Sequence, residues 1–486
     1  MMNDSKTNQT KLQQAFNIDD FKKTALEVID VLCNHLQQVQ NNEVKVLDYA
    51  EPEEEYQFWS QGFEQPEDIA TAFQKILNRS INVQHPNFIG HQVAAPALVS
   101  ALGGLLSSVM SNGSAVYEMG KANTALEKVI CDWLSKAIGL EQGGGFLTSG
   151  GTLANLTALL AARRYYTKED VWEDGHGKSL AIMVSNQAHY CVDRAVRIMG
   201  LGVKGIIKLE VDKQFKVDTN LLAQALQQAK ADGLIVIALV GSACTTATGS
   251  FDDLEAMATF AQANKLWFHV DGAHGGPSAL SKKYKHLVKG INKADSVVID
   301  FHKMMLTPSL TTALLFKNVE QSFGTFQQKA TYLWNSETAN EWHQAGKRTF
   351  ECTKLMMAPK IYFIIKAYGI SIFEQNIDHL YDLAKALAHH IKTNKKFELL
   401  MMPECNIVNF RYISAATDLN QINQKIRKAL VKIGEFYIVQ TNINGLTYLR
   451  CTVINPLTTE EVLKHLIKHI ETLADQINKG ITTKIN

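Results

Sequence analysis

Residues 143–163 read GGGFLTSGGTLANLTALLAAR. A short apolar run enters Thr148-Ser149-Gly150-Gly151-Thr152, and a helix-forming stretch follows at once. Glycines let backbone N–H groups approach an anion, a helix N-terminus favours negative charge, and Ser and Thr hydroxyls add donors. A phosphate is the natural ligand. The stretch lacks the Gly-Lys-Ser/Thr ending of a nucleotide P-loop and the G-x-G-x-x-G spacing of a dinucleotide site. Its plain alternative is a glycine-rich strand-to-helix turn.

The same texture continues downstream. Short apolar runs at 145–148, 180–184, 205–209, 234–240, 266–271, 296–300 and 312–316 end in small or polar residues, and helical segments alternate with them. Such runs predict strands buried on both faces of a mostly parallel sheet of seven strands, the α/β class. Ligands of these sheets gather at the carboxyl ends of the strands. Residues 1–84 read as helical, with apolar spacing at 21–40 and 66–77, and the acidic run 51–55 reads as a solvated turn or helix start. Beyond 350 come a helix at 354–368, strands at 406–411 and 445–453, and a closing helix at 459–477, a smaller α+β domain. The expected division is 1–84, 85–350 and 351–486.

Composition narrows the partners. The 486 residues are 46% apolar and 20% charged, with 49 Lys plus Arg against 48 Asp plus Glu, which excludes disorder and gives no bulk attraction for nucleic acid or anionic membrane. Seven scattered cysteines without a CxxC pair fit reduced thiols in a cytoplasm. The polar N-terminus shows no secretory signal. The uncharged stretch 92–117 carries Pro96, Gly103-Gly104 and several serines, so it reads as buried helix and loop rather than a membrane span.

Two further strand ends carry chemistry. In LWFHVDGAHGG (266–276), Asp271 closes an apolar strand, where a carboxylate needs a cationic or hydroxyl partner. A ribose hydroxyl, a metal and the protonated nitrogen of a pyridine ring are the candidates; a capping Asp is the simpler reading. In ADSVVIDFHKMMLTP (294–308), Asp300 ends a strand and His302-Lys303 follow. An aromatic, Met-rich surround predicts a desolvated Lys303 of lowered pKa, suited to a Schiff base. Cradle, acid and lysine are the three handles of pyridoxal phosphate.

At this point the chain resembles the group II pyridoxal-phosphate-dependent amino-acid decarboxylases, from about His85 to the C-terminal helix. The ordered motifs are HPNFIG, LTSGGTLANLTAL, QAHYCVDRAVRIMGLG, TTATGSFDDL, WFHVDGAHGG, DSVVIDFHKMM, RTFECTK and NIVNF. The resemblance implies a fold type I large domain, a homodimer clasped by the N-terminal helices, and amine production from an L-amino acid. It implies Lys303 as the Schiff-base lysine, Asp271 at the pyridinium nitrogen, and His189 stacked on the ring opposite Ala273. Ser149, Gly150 and Thr152 would hold phosphate, with His302 and Asp300 assisting, and Thr245 or Thr246 would lie near the phenolic oxygen. Tyr332 would protonate the product carbon from a loop of the neighbouring subunit. His85 and Arg450 would meet the substrate, Arg450 through a carboxylate.

The chain also departs from the family pattern. His274 stands where tyrosine or tryptophan is usual, Gly272 where alanine is, Cys244 where glycine is, and Asp300-Phe301 where Asn-Pro is common. Tyr117-Glu118 and residues 450–456 lean toward an acidic substrate, while aromatic and diamino acids stay open. An aldehyde-forming or C–C lyase relative, and a silent scaffold, are the competing functions. No metal site is expected: His465 and His469 lie four apart on the last helix, with no third ligand near them in sequence.

Overall fold

The computed structural model describes residues 10–167, 171–175, 177–323, 325–326, 341–414 and 418–479. The large sheet comprises β1 Gly144–Thr148, β2 Leu180–Ser185, β3 Ile206–Leu209, β4 Ile235–Ser242, β5 Trp267–Asp271, β6 Ser296–Asp300 and β7 Thr312–Phe316. Its order is β1-β7-β6-β5-β4-β2-β3. β7 runs antiparallel to both neighbours, and the pairs β6-β5, β5-β4, β4-β2 and β2-β3 are parallel. Six strands therefore end on one edge, which collects Thr148, Ser185, Leu209, Ser242, Asp271 and Asp300.

Burial on both faces explains the apolar runs. Val298 and Leu314 pack with Ala154 and Ala158 of the helix Gly151–Tyr166. Their strand neighbours Val297, Ile299 and Leu315 pack on the other side, with Leu134 and Met257 from the helices Tyr117–Ala137 and Leu254–Ala263. The period of two thus sorts each strand between two apolar layers.

A second sheet follows, with β8 Phe397–Leu399, β9 Ile407–Tyr412, β10 Val439–Ile443 and β11 Leu446–Thr452 in the antiparallel order β10-β11-β9-β8. Phe410 and Leu449 pack there with Leu387, Leu430 and Ile470 of three covering helices. The helix expected from 354 begins at Ala358 instead, with Pro359 in its first turn. Proline suits that turn and disfavours helix in the residue before it. The helix expected from 66 begins at Ile69, because Asp68 accepts the Thr71 N–H and caps it.

The stretch 92–117 needs correction. Its helix, Leu98–Met110, packs one side closely on the helix Ala358–Tyr368, where a Cβ on Gly103 would meet the Lys360 backbone at 2.6 Å. The other side is not buried: Leu98, Leu102, Leu105 and Val109 are exposed. No helix among the described residues is long and apolar enough to cross a membrane. The N-terminal helix Ile18–Gln40 similarly buries only His35 and Val39, and leaves Phe21, Leu26 and Ile29 in the open.

Candidate active site

The strand ends define one cavity of about 410 Å³. Ser149, Gly150, Gly151 and Thr152 line it from the β1 turn, Asp271 and Ala273 from β5, and Asp300, His302 and Lys303 from β6. Gly150 adopts φ +114, a backbone state that side chains resist, and the helix starting at Gly151 has neither a capping side chain nor an acid in its first turn. Its first N–H groups are therefore open to an anion. A Cβ on Gly151 would stand 3.3 Å from Asp300 Oδ1, so the turn and the β6 end approach each other closely there.

Lys303 Nζ lies 2.9 Å from Asp300 Oδ2. Thr312 Oγ1 donates to the other carboxylate oxygen of Asp300, and His302 Nε2 stands 3.6 Å from Oδ2. His302 Nδ1 sits against the Thr311 backbone, 2.9 Å from its carbonyl oxygen and 3.1 Å from its nitrogen, which fixes the ring with Nε2 toward Asp300. Burial works against both charges of the pair. Even so, the two charges hold each other: the Asp300 carboxyl titrates below its ordinary value and the Lys303 ammonium above its own. The expected lowering of Lys303 is thus overturned. Met304 and Met305 turn into the core, and the carboxylates of Asp300 and Asp271 outweigh desolvation.

Asp271 makes no ion pair among the described residues and accepts only the Ala273 N–H, at 3.2 Å. Burial raises its pKa, against the pull of Lys303 and His189. Such an acid at a strand end is suited to a cationic ring nitrogen. His189 caps the helix Tyr190–Ile198 by accepting the Cys191 N–H at Nδ1, and burial lowers its pKa, so the imidazole is neutral. Anion cradle, lysine amine and lone carboxylate therefore meet in one cavity of ordinary ligand size, and these residues fit pyridoxal phosphate.

A model of the pyridoxal-dependent decarboxylase conserved domain matches residues 52–413. The chain belongs to that family. It is 28% identical over 409 residues to an aromatic-L-amino-acid decarboxylase of Bacillus atrophaeus, covering 83% of this chain and 84% of the relative. It is 29% identical over 443 residues to an aspartate 1-decarboxylase of Aliivibrio fischeri, covering 81% and 80%. Among solved structures, the glutamate decarboxylase domain of a Vibrio parahaemolyticus diaminobutyrate-pyruvate transaminase and L-2,4-diaminobutyrate decarboxylase superposes with a TM-score of 0.84 at 25% identity, covering 96% of this chain and 97% of that one. The decarboxylase is thus a pyridoxal-phosphate enzyme of the group II type.

The remaining expected residues divide. Thr246 lines the cavity, whereas Thr245 turns away: its hydroxyl pairs with Thr248 Oγ1 at 2.7 Å and accepts the Ser250 N–H. His85 is outside the lining; one ring nitrogen bonds the Val44 carbonyl and the other accepts the Asn87 N–H, so both are committed to local structure. Arg450 is buried on β11 and donates to Gln92 Oε1 at 3.0 Å, with its Nε unpartnered. Tyr332 lies outside the described residues. The histidine pair has company after all: Glu435 stands 3.6 Å from His465 and 3.5 Å from His469, so the turn before β10 supplies the third donor that sequence spacing hid.

Sequence reading missed Asn155, Cys191, Arg194 and Leu310, which also line the cavity. Asn155 belongs to a buried relay that ends at Cys191. Trp267 Nε1–H donates to Ser296 Oγ at 2.8 Å, and that hydroxyl donates to His269 Nδ1 at 2.8 Å. His269 Nε2–H donates to Asn155 Oδ1 at 2.7 Å, and Asn155 Nδ2 donates to Cys191 Sγ. Only a neutral His269 completes this chain, and burial pushes its pKa down to about 3. Below pH 6.5 the unfolded chain takes up a proton that the folded one refuses, so stability falls as pH drops from 6.5 toward 3. By pH 5 the loss is about 2 kcal/mol. His269→Gln should flatten that slope in urea titrations of the holoenzyme at pH 7 and pH 5; an unchanged slope would remove His269 from the account.

Proposed function

We propose that Lys303 is the cofactor-binding lysine of a decarboxylase that converts an L-amino acid to its amine and CO2. The carrying observation is the convergence of Lys303, Asp271 and the Ser149-Gly150-Thr152 turn on one cavity at neighbouring strand ends. When bound, pyridoxal phosphate supplies an aldehyde for the substrate amine and a ring that accepts the electron pair left by CO2. Asp300 Oδ2 holds Lys303 Nζ in the cavity, 2.9 Å away. Asp271 would keep a proton on the ring nitrogen, His189 and Ala273 would flank the ring, and the open N–H groups at Gly150–Thr152 would hold the phosphate. His302 orients Asp300, Thr246 adds a hydroxyl, and Tyr332 returns a proton to the substrate carbon.

Asp271→Asn retains shape and removes the charge. Amine formation is expected to fall about 10²–10³-fold with cofactor still bound; turnover within twofold of wild type would dismiss the role.

For the substrate, an acidic side chain is favoured. Arg450 stands outside the cavity lining but pairs with no carboxylate among the described residues, and a buried guanidinium with an unpartnered Nε is suited to an anion. The deciding experiment is amine detection by mass spectrometry from an amino-acid panel with added pyridoxal phosphate. Glutamate, aspartate or cysteine sulfinate should lead. An aromatic or diamino preference would make Arg450 structural, and absence of any amine would favour the aldehyde-forming or lyase chemistry.

The exposed apolar faces of the helices Ile18–Gln40 and Leu98–Met110 support a homodimer, in which the partner would cover Phe21, Leu26, Leu102 and Leu105. Seven free cysteines support a reducing, cytoplasmic setting.

A further inference from the structure

Cys244, His274 and Cys405 meet at the wall of the cofactor cavity, which Cys244 and His274 help to line. All three are buried, and one donor atom from each lies within 4.8 Å of the other two. The sulfurs stand 3.6 Å apart. Two thiolates bound at about 2.3 Å to a tetrahedral zinc are separated by about 3.8 Å, so the pair is already near that spacing.

Asn406 settles which nitrogen of His274 is free. Its Nδ2 donates to the Val453 carbonyl at 3.0 Å, so its Oδ1 accepts the His274 Nε2–H at 2.7 Å. The lone pair then sits on Nδ1, which is buried without a hydrogen-bond partner among the described residues. An N–H anchored on an amide oxygen behind a free lone pair is how proteins orient metal-binding imidazoles. The thiols have an alternative, since Cys244 can donate to Cys405 and Cys405 to the Gly249 carbonyl at 3.4 Å. His274 Nδ1 has none. Cys244 and His274 are also two of the positions where this chain departs from the family pattern, so the cluster does not follow from decarboxylase chemistry in general.

We propose that Cys244, His274 and Cys405 form a three-ligand site for a thiophilic divalent cation, Zn²⁺, with its fourth position open to water or a substrate donor. Two thiolates and an imidazole match zinc better than magnesium or calcium, which take oxygen ligands. Holoenzyme carrying His465→Ala, which breaks up the Glu435–His465–His469 cluster, is equilibrated with zinc chloride, gel-filtered and assayed for metal by mass spectrometry. One zinc per chain is expected, with the visible bands of tetrahedral thiolate coordination when Co²⁺ replaces it. Adding Cys405→Ser should abolish both. No retained zinc, or equal zinc in the Cys405→Ser variant, overturns the site. Should that variant fail to fold, iodoacetamide labelling of the His465→Ala protein decides. Zinc must slow modification of Cys244 and Cys405, and equal labelling with and without zinc rejects the proposal.

Discussion

Lys303→Ala should lower amine formation by at least ~10³-fold, beyond the loss expected from removing a single proton-transfer group in the middle of its usual range. The nucleophile disappears, and Asp300 is left with Thr312 and His302 as neighbours. A buried carboxylate losing its ammonium partner is a destabilising change in its own right. Lys303→Arg separates the two effects. Its guanidinium keeps a cation beside Asp300 but offers no primary amine that condenses with an aldehyde. Both variants should lose the borohydride-trapped mass adduct with pyridoxal phosphate, while the arginine variant keeps near-native urea stability. An adduct of full stoichiometry in either variant would transfer the role to another lysine.

The large sheet was legible because strands buried on both faces cannot hide their composition. Val297, Val298 and Ile299 are buried on opposite faces, so the run between Ser296 and Asp300 is continuous and apolar. β10 was not legible. Its centre, Gln440-Thr441-Asn442, is polar and largely open to solvent on the edge of the second sheet, and a polar edge strand resembles a loop. The chemistry-bearing residues at the strand ends were readable for the complementary reason, since charge or glycine closing an apolar run is anomalous.

What escaped the sequence came from residues brought together by the fold. The titration of Lys303 follows from carboxylates at two strand ends, not from its Met-rich neighbours. Thr245 and Thr246 are adjacent in sequence, yet the turn to Thr248 and Ser250 commits the first and leaves the second on the cavity. Glu435 reaches His465 and His469 across a strand pair and a loop. Arg450 could be placed on a strand from its apolar flanks, but its lack of a carboxylate partner is a tertiary fact.

Lys354 is the clearest instance, because a lysine that ends the motif RTFECTK gives no local sign of burial. It is 1% exposed, and its Nζ pairs with Glu127, itself buried on the helix Tyr117–Ala137. Glu127 Oε1 also accepts the Leu147 N–H at 3.1 Å, and the Lys354 carbonyl accepts the Ser114 N–H at 2.8 Å. The pair therefore ties β1, and with it the Ser149-Gly150 turn, to two distant segments. Arg348 packs alongside, with its guanidinium 4.8 Å from the Phe146 ring centre. Lys354→Met preserves length and apolar contact but strands the Glu127 carboxylate, whose Oε2 already has no hydrogen-bond partner among the described residues. The expected cost is about 3–5 kcal/mol, read as a lower urea midpoint of the holoenzyme. Glu127→Gln with Lys354→Met should recover much of it, since the pair is then removed together and the uncompensated charge is gone. A single variant within about 0.5 kcal/mol of wild type, the range of ordinary surface substitutions, would mean that water reaches Glu127.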